Sequence, residues 1–398
     1  MRIVFLLTVG LERPSGLRYA GLARGLVSRG HQVTILALHP DYARVRPRRY
    51  RDGGVEVRYV GQMHARKVGS TPGRFGPLRL LEVIIRSTTA LAAAAAATAG
   101  DVVHLGKAQP INGMAALLAR RIRPRPFFLD CDDYEAGSNR FSADWQRSVF
   151  AWWEDRLPLL MEGITVNTLF LGQRVAGLGV PRNRIVHVPN GVDLQAFQPA
   201  PKPHVEALRA SLGLDGRRII AYVGTLSLQN HPVDLLLDAL PVIIRHEPRT
   251  MLLLIGGGED LPLITERIAR AGLKHVARCT GHISRSTLRA LLGTAELTVD
   301  PVADDAVARA RSPLKIIESM ALGIPVVTAD VGDRRMLLAD GAAGLLVRPD
   351  DPAALGDGIA RLLASPAALK KAGAFALQHV KAFNWSELAA RFETVYGG

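Results

Sequence analysis

At 398 residues and 48% hydrophobic content the chain is too long for one ordinary core, and at about 150 residues per domain two domains are expected. The formal net charge of +14 sits mainly in residues 1–100, as a run at Arg44, Arg46, Arg48, Arg49 and Arg51 followed by His64, Arg66, Lys67 and Arg74. Such a patch attracts phosphates, nucleic acid or anionic lipid alike, and without a repeated basic-aromatic motif no nucleic-acid partner is expected. Cys131 and Cys279 lie far apart and lack the close Cys/His spacing of a metal site, which fits a reducing compartment. Met1 to Gly10 is apolar but short and has no small-residue cleavage pattern, so it reads as a first strand. Leu78 to Ala99 is interrupted by Arg79, Glu82 and Arg86, which argues against a membrane span. The expectation is a soluble, cytoplasmic or peripheral protein.

Arg2 to Val9 is a strand, Gly10 to Gly16 a loop, and Leu22, Ala23, Leu26 and Val27 mark one helix face before the strand Gln32 to Leu38. This β-loop-α-β opening is doubly wound, but its glycine spacing does not match the dinucleotide fingerprint, which argues against a nicotinamide enzyme. Strands at Val55 to Val60, Val102 to Leu105, Phe127 to Asp130, Gly163 to Thr168 and Arg184 to Val188 alternate with helices, so a parallel sheet is expected. Asn190 to Asp193 and Pro199, Pro201 and Pro203 form the linker candidate, after which alternation restarts. Strands from Arg218, Met251, Val276, Leu297, Pro325 and Leu345 end in loops at Gly224-Thr225, Gly256-Gly257-Gly258 and Gly281-His282, and ligands bind at such carboxyl ends.

The most informative stretch is Ala310 to Val327. Ser312 is a good N-cap, Pro313 suits the first turn, and Lys315 then falls at the third helical position, where a cation opposes the helix dipole. A phosphate on the helix end accounts for it, with Glu318 one turn in and in reach of a diol. The same residues also fit a solvated helix with a Lys315/Glu318 pair.

These halves, Asn190-Gly-Val-Asp193 at their junction, Ser312-Pro-Leu-Lys-Ile-Ile-Glu318 and Asp340-Gly-Ala-Ala-Gly344 resemble the family-4 retaining glycosyltransferases of the GT-B fold, an α/β class of two Rossmann-like parallel-sheet domains facing a cleft. The resemblance implies an acceptor domain over residues 1–192, joined by a returning helix at 380–398, and a donor domain over 193–379. It implies transfer of a hexose-type sugar, without a metal or other cofactor, from a nucleoside-diphosphate sugar to a glycan, lipid-linked or small-molecule acceptor. On the donor side it implies Glu318 on the ribose, Ser312, Pro313 and Leu314 offering backbone N–H groups to the diphosphate beside Lys315 and Arg311, and Gly224, Thr225, His231, Gly257, Gly281, His282 and Ile283 around the nucleotide. Gly10, Gly16, Asp132 and Asp133 fall on the acceptor side. Two family features are absent. Its first motif glutamate is Ala310 here, and the usual Arg and Lys after the first donor-domain strand are Thr225 and Asn230 or His231.

Glycosyl transfer needs a stabilised diphosphate leaving group, and Lys315 supplies charge for it; Asp132 and Lys107 are the other catalytic candidates. Asp130-Cys131-Asp132 mimics a metal-binding Asp-x-Asp, though that signature belongs to a one-domain fold. His104 is expected in the core, and so are Trp145, Trp152 and Trp153 at helical spacing. The basic region with Leu78, Leu81, Val83, Ile84 and Ile85 suggests docking on an anionic membrane. A non-catalytic partner subunit and a sugar-nucleotide epimerase are the alternative functions.

Overall fold

The computed structural model describes residues 1–68, 71–73 and 75–397. The chain divides into two compact units, Met1–Gly191 with Trp385–Gly398, and Val192–Asn384. Arg74 and the side chains of Arg66 and Lys67 lie outside what is described.

In the first unit, β1 (Arg2–Leu7), α1 (Pro14–Ser28), β2 (Gln32–His39), β3 (Arg49–Asp52) and β4 (Val55–Gln62) are followed by a small hairpin, β5 (Arg66–Val68) and β6 (Thr71–Gly73). Next come α2 (Pro77–Ala97), β7 (Val102–Gly106), α3 (Pro110–Ile122), β8 (Phe127–Cys131), α4 (Glu135–Ser138), α5 (Asp144–Arg156), β9 (Gly163–Val166), α6 (Leu169–Gly177) and β10 (Ile185–His187). The sheet order is β10-β9-β8-β7-β1-β2-β4-β3, parallel except for β3, which pairs antiparallel at the edge. β1, β7 and β8 are apolar and covered on both faces, as parallel strands between helices must be.

The second unit holds α7 (Lys202–Ser211), β11 (Arg218–Val223), α8 (Val233–His246), β12 (Thr250–Ile255), α9 (Leu261–Arg270), β13 (Ala277–Gly281), α10 (Arg285–Gly293), β14 (Leu297–Asp300) and α11 (Ala306–Arg309). It continues with α12 (Leu314–Ala321), β15 (Val326–Ala329), α13 (Arg334–Leu337), β16 (Gly344–Val347), α14 (Pro352–Leu363) and α15 (Pro366–His379). Its sheet runs β13-β12-β11-β14-β15-β16, all parallel. The last helix, α16 (Trp385–Glu393), belongs to the first unit, where the Trp385 indole lies against Gly21 of α1 and Phe392 joins the core with Phe5.

Strand order reverses beside β1 in one sheet and beside β11 in the other. Crevices at such points, beyond the carboxyl ends of the strands, are where open α/β sheets bind ligands. In the first unit that crevice lies between β1 and β7, at Thr8 to Gly10 and Lys107; in the second it lies between β11 and β14, at Gly224 and Asp300.

Two local expectations are corrected. α1 begins at Pro14, so Gly16 sits in its first turn rather than in a loop. The tryptophans of α5 are not core: Trp145 is 66% and Trp152 55% exposed, with Trp153 half-buried against Gly113. The inward residue of α5 is Glu154, whose carboxylate accepts the backbone N–H groups of Glu135 and Ala136 at 2.7 and 2.8 Å and so caps α4.

Candidate active site

In the second unit, α12 starts at Leu314, one residue later than its sequence suggests. Pro313 is the N-cap, Ser312 is buried ahead of the helix, and Lys315 is the second helical residue. Ser312 is therefore not the cap, because Pro313 takes an extended ψ of 111° and delays the first turn. Ile316, Ile317 and Met320 pin the other face of α12 into the core, so Lys315 is held at the crevice.

Lys315 Nζ lies 3.2 Å from Asp300 Oδ1 and 4.4 Å above the Tyr222 ring. Among the described residues it makes no well-directed hydrogen bond. It approaches Gly224, φ 150°, to 3.4 Å from where a Cβ would stand, so a side chain there would crowd the ammonium. Asp300 ends β14 at 1% exposure. Burial opposes its charge, but Arg334, with Nε 2.8 Å away, and Lys315 hold the carboxyl well below the usual range.

His231 also faces this cluster. Burial first, and then the charges of Lys315 and Arg311, push its pKa down to about 2, leaving a neutral imidazole. Arg311 donates to Asn230 O at 2.6 Å and Oδ1 at 2.8 Å, tying the loop after β11 to the approach of α12. Thr225 is exposed, and its carbonyl accepts from Tyr222 Oη at 2.9 Å. Glu318 pairs with Arg285 Nη2 at 2.8 Å, not with Lys315, so the solvated Lys315/Glu318 pair is absent. Burial pushes the Glu318 carboxyl up, partly offset by Arg285. Gly257 packs against the His282 ring, Gly281 ends β13, and Ile283 leans on the core, which puts the β12 and β13 loops in one strip beside Gly224. Leu314 and Pro313 are part-buried in the α12 entry. Ala310 is fully buried at the end of α11 and presents no side chain to the crevice.

The first unit has its own charged crevice. Lys107, at φ 77° just after β7, is buried and pairs with Asp132 Oδ1 at 3.0 Å and with Glu135. Gln109 donates to Glu135 Oε2 at 2.6 Å and accepts from Thr8 Oγ1 at 2.7 Å, joining the ends of β1, β7 and β8. Burial raises Asp132 to about 6 although Lys107 pulls it down, and burial raises Glu154 to about 7. These two carboxylates, Asp133, Glu135, Lys107 and Arg174 line a small pocket. Asp133 accepts its neighbour Tyr134 N–H at 2.9 Å. Gly10 and Gly16 touch: a Cβ on Gly16 would come 2.3 Å from Gly10 O, so the β1–α1 turn closes only with glycine there.

Asp130 and Asp132 do not act as a pair. Asp130 is fully buried and takes Arg18 Nε and Nη2 at 2.9 and 2.8 Å and Thr165 Oγ1 at 2.6 Å; burial opposes its charge, but Arg18 holds its pKa low. Among the described residues no three His, Cys, Asp or Glu side chains converge as a metal-ligand set. His104 is core as expected, with its pKa pushed down to about 3 by burial among Phe5, Phe128 and Phe392. The sequence reading missed Asp300, Arg334, Tyr222 and Arg285 as site residues, and Glu135, Glu154 and Arg18 in the first unit.

A profile of glycosyl transferases group 1 matches residues 217–365, and one of the glycosyl transferase 4-like domain matches residues 16–191. The chain thus carries a stretch similar to the glycosyl transferase 4-like domain followed by one similar to glycosyl transferases group 1. Among curated relatives, the D-inositol 3-phosphate glycosyltransferase of Thermobispora bispora is 31% identical over 254 residues, 61% of this chain and 57% of that protein. The phosphatidyl-myo-inositol mannosyltransferase of Mycobacterium leprae is 28% identical over 211 residues, 53% of each. The matched stretches span about half the length of these relatives. The fold matches sucrose-phosphate synthase from Thermosynechococcus elongatus, with a TM-score of 0.78, 20% identity and coverage of 100% and 98%. It also matches Anabaena HepE in complex with UDP-glucose, with a TM-score of 0.72, 16% identity and the same coverages. Both share the GT-B architecture expected from the sequence.

Proposed function

We propose that this chain is a retaining, metal-independent glycosyltransferase that moves a hexose-type sugar from a UDP or GDP donor in the second unit to an acceptor hydroxyl at the first. The observation that carries the reading is Lys315: a buried ammonium that, among the described residues, makes no well-directed hydrogen bond, on a side chain 12% exposed beside Gly224 at the strand-order reversal of the second sheet. Negative charge grows on the diphosphate as the sugar–oxygen bond breaks, and an ammonium already in place stabilises it without reorganising. Neutral His231 adds a hydrogen-bonding partner, and the free N–H groups of the α12 start add a partial positive charge. Glu318, one turn further on, accepts from the ribose hydroxyls. Arg311 acts through Asn230, by fixing the loop that carries His231. In the first unit Asp132, with Asp133 nearby, takes the acceptor hydroxyl, while Lys107 holds Asp132 and Glu135 in place.

Incubation with a panel of UDP- and GDP-sugars, with and without glycans, polyols and lipid-linked acceptors, tests the reading through nucleoside diphosphate release. Acceptor-dependent release with retained anomeric configuration is expected. Donor isomerisation without acceptor indicates an epimerase, and binding without turnover on any acceptor indicates a partner subunit.

Where the acceptor is lipid-linked, the first unit docks peripherally on the anionic cytoplasmic face of a membrane. This is supported by neighbouring helices whose outer stripes are apolar, Leu78, Leu81 and Ile85 on α2 and Met114, Leu118 and Ile122 on α3, next to exposed Trp145 and Trp152. α2 is long and apolar enough to cross a membrane by length and composition, but Val83, Leu91 and Ala95 are buried in the fold. Arg79, Arg86, Arg121 and Arg147 supply positive charge on the same helices. Flotation with phosphatidylglycerol vesicles is expected to recover the chain, and equal recovery with neutral phosphatidylcholine vesicles removes the electrostatic part of the idea.

A further inference from the structure

We propose that Asp300 is a positioning residue for the diphosphate, holding the Lys315 ammonium in an ion pair that exchanges for the phosphate oxygens of a bound nucleotide. This rests on the reading of Lys315 given above and assigns a role to a carboxylate that the family resemblance does not supply.

Asp300 faces two cations with different freedom. Arg334 is 3% exposed, its Nε is 2.8 Å from Asp300 Oδ2, and its Nη1 donates to Ala308 O at 3.1 Å and Val331 O at 3.3 Å. Thr328 Oγ1 lies 3.3 Å from the same Oδ2 and 2.9 Å from the Asp300 carbonyl. Asp300 is thus fixed, and Arg334 is satisfied where it stands. Lys315 differs on both counts. It contacts the other oxygen, Oδ1, at 3.2 Å without a well-directed hydrogen bond among the described residues; its Nζ is buried at the end of a flexible four-carbon stem, in a side chain 12% exposed overall. The Tyr222 ring 4.4 Å below keeps the ammonium beside Gly224, and the ring is itself tied through its hydroxyl to Thr225 O.

A diphosphate oxygen entering at Gly224 meets an ammonium whose one counter-charge among the described residues is already shared with Arg334. It therefore displaces Asp300 as the ion-pair partner, with no covalent change and no proton moved. As the sugar leaves, the growing diphosphate charge strengthens the new pair. When the nucleotide departs, Asp300 takes the ammonium back. The carboxylate thus competes with the product, a role opposite in sign to that of an ordinary binding residue.

Asp300→Asn keeps the shape and removes the competitor. We expect it to tighten UDP or GDP binding about 3- to 10-fold while kcat falls by a similar or larger factor, because the nucleotide leaves slowly and Lys315 loses its rest position. Lys315→Met, measured in parallel, separates the two claims. Unchanged nucleotide binding in Lys315→Met contradicts the donor-site reading itself; lost binding there together with weakened binding in Asp300→Asn overturns only the exchange. A purely structural Asp300 lowers Tm and weakens binding together. If Asp300→Asn does not fold, the wild-type protein still decides: the ¹⁵Nζ resonance of Lys315, identified by its loss in Lys315→Met, is expected to move on addition of UDP or GDP. An unmoved resonance at saturating nucleotide overturns the proposal.

Discussion

The two sheets place a lysine at the same point, beside the reversal of strand order, and surround it differently. Lys107 is enclosed by two carboxylates, Asp132 and Glu135, with Glu154 and Asp133 close behind, so negative charge is in excess. Lys315 shares one carboxylate with Arg334, with Arg311 and a neutral His231 nearby, so the two arginines and the lysine leave positive charge in excess. Burial costs both lysines hydration, but only the second keeps capacity for an incoming anion. The first lysine organises its crevice and the second serves a ligand.

Removing each lysine breaks the comparison most sharply. Lys107→Met leaves Asp132 and Glu135 buried without their cation and is expected to cost roughly 3–5 kcal/mol of folding stability, read by urea denaturation. Lys315→Met is expected to lower turnover about 100- to 1,000-fold, the scale of losing one charge-stabilising donor, while its urea midpoint stays near wild type. A smaller effect is expected at Glu318, where Ala should weaken nucleoside diphosphate binding about tenfold, seen by calorimetry, with kcat less affected.

Burial of an acid in one crevice and of a base in the other also sets opposite pH responses. Glu154 is raised to about 7, so the folded state binds its proton more tightly than the unfolded chain does; stability from this group falls as pH rises from about 4.3 through 7. His231 is lowered to about 2, so the unfolded chain takes its proton first, and stability from this group falls as pH drops below about 6.5. Each limb is limited to about 1.4 kcal/mol per pH unit. Denaturation across pH should show Glu154→Gln flattening the neutral limb and His231→Gln flattening the acid limb.

Much of this was legible in the sequence because the signals were local. Continuous apolar strands, helical stripes between them and a turn-and-proline junction near residue 190 are backbone-scale patterns, and they give two parallel sheets. Lys315 stood out for the same reason, as a cation where the helix dipole opposes one. What stayed hidden depends on which strands become neighbours. Asp300 closes an apolar run, and its partners Lys315, Thr328 and Arg334 lie 15, 28 and 34 residues further on, meeting it only once β14 and β15 pair. Tyr222 looks like any core aromatic until Lys315 lies over its ring. The α5 tryptophans misled because helical spacing gives a stripe but not its direction; Glu154, capping α4, decides which side faces in.

The central claim, that one lysine is open to an anion and the other is not, is tested most directly by titrating UDP and GDP into folded Lys315→Met and, at a temperature where it remains folded, Lys107→Met. Binding lost in Lys315→Met and kept within about threefold in Lys107→Met is the predicted result. Wild-type affinity in Lys315→Met, or equal losses in both folded variants, would contradict the account.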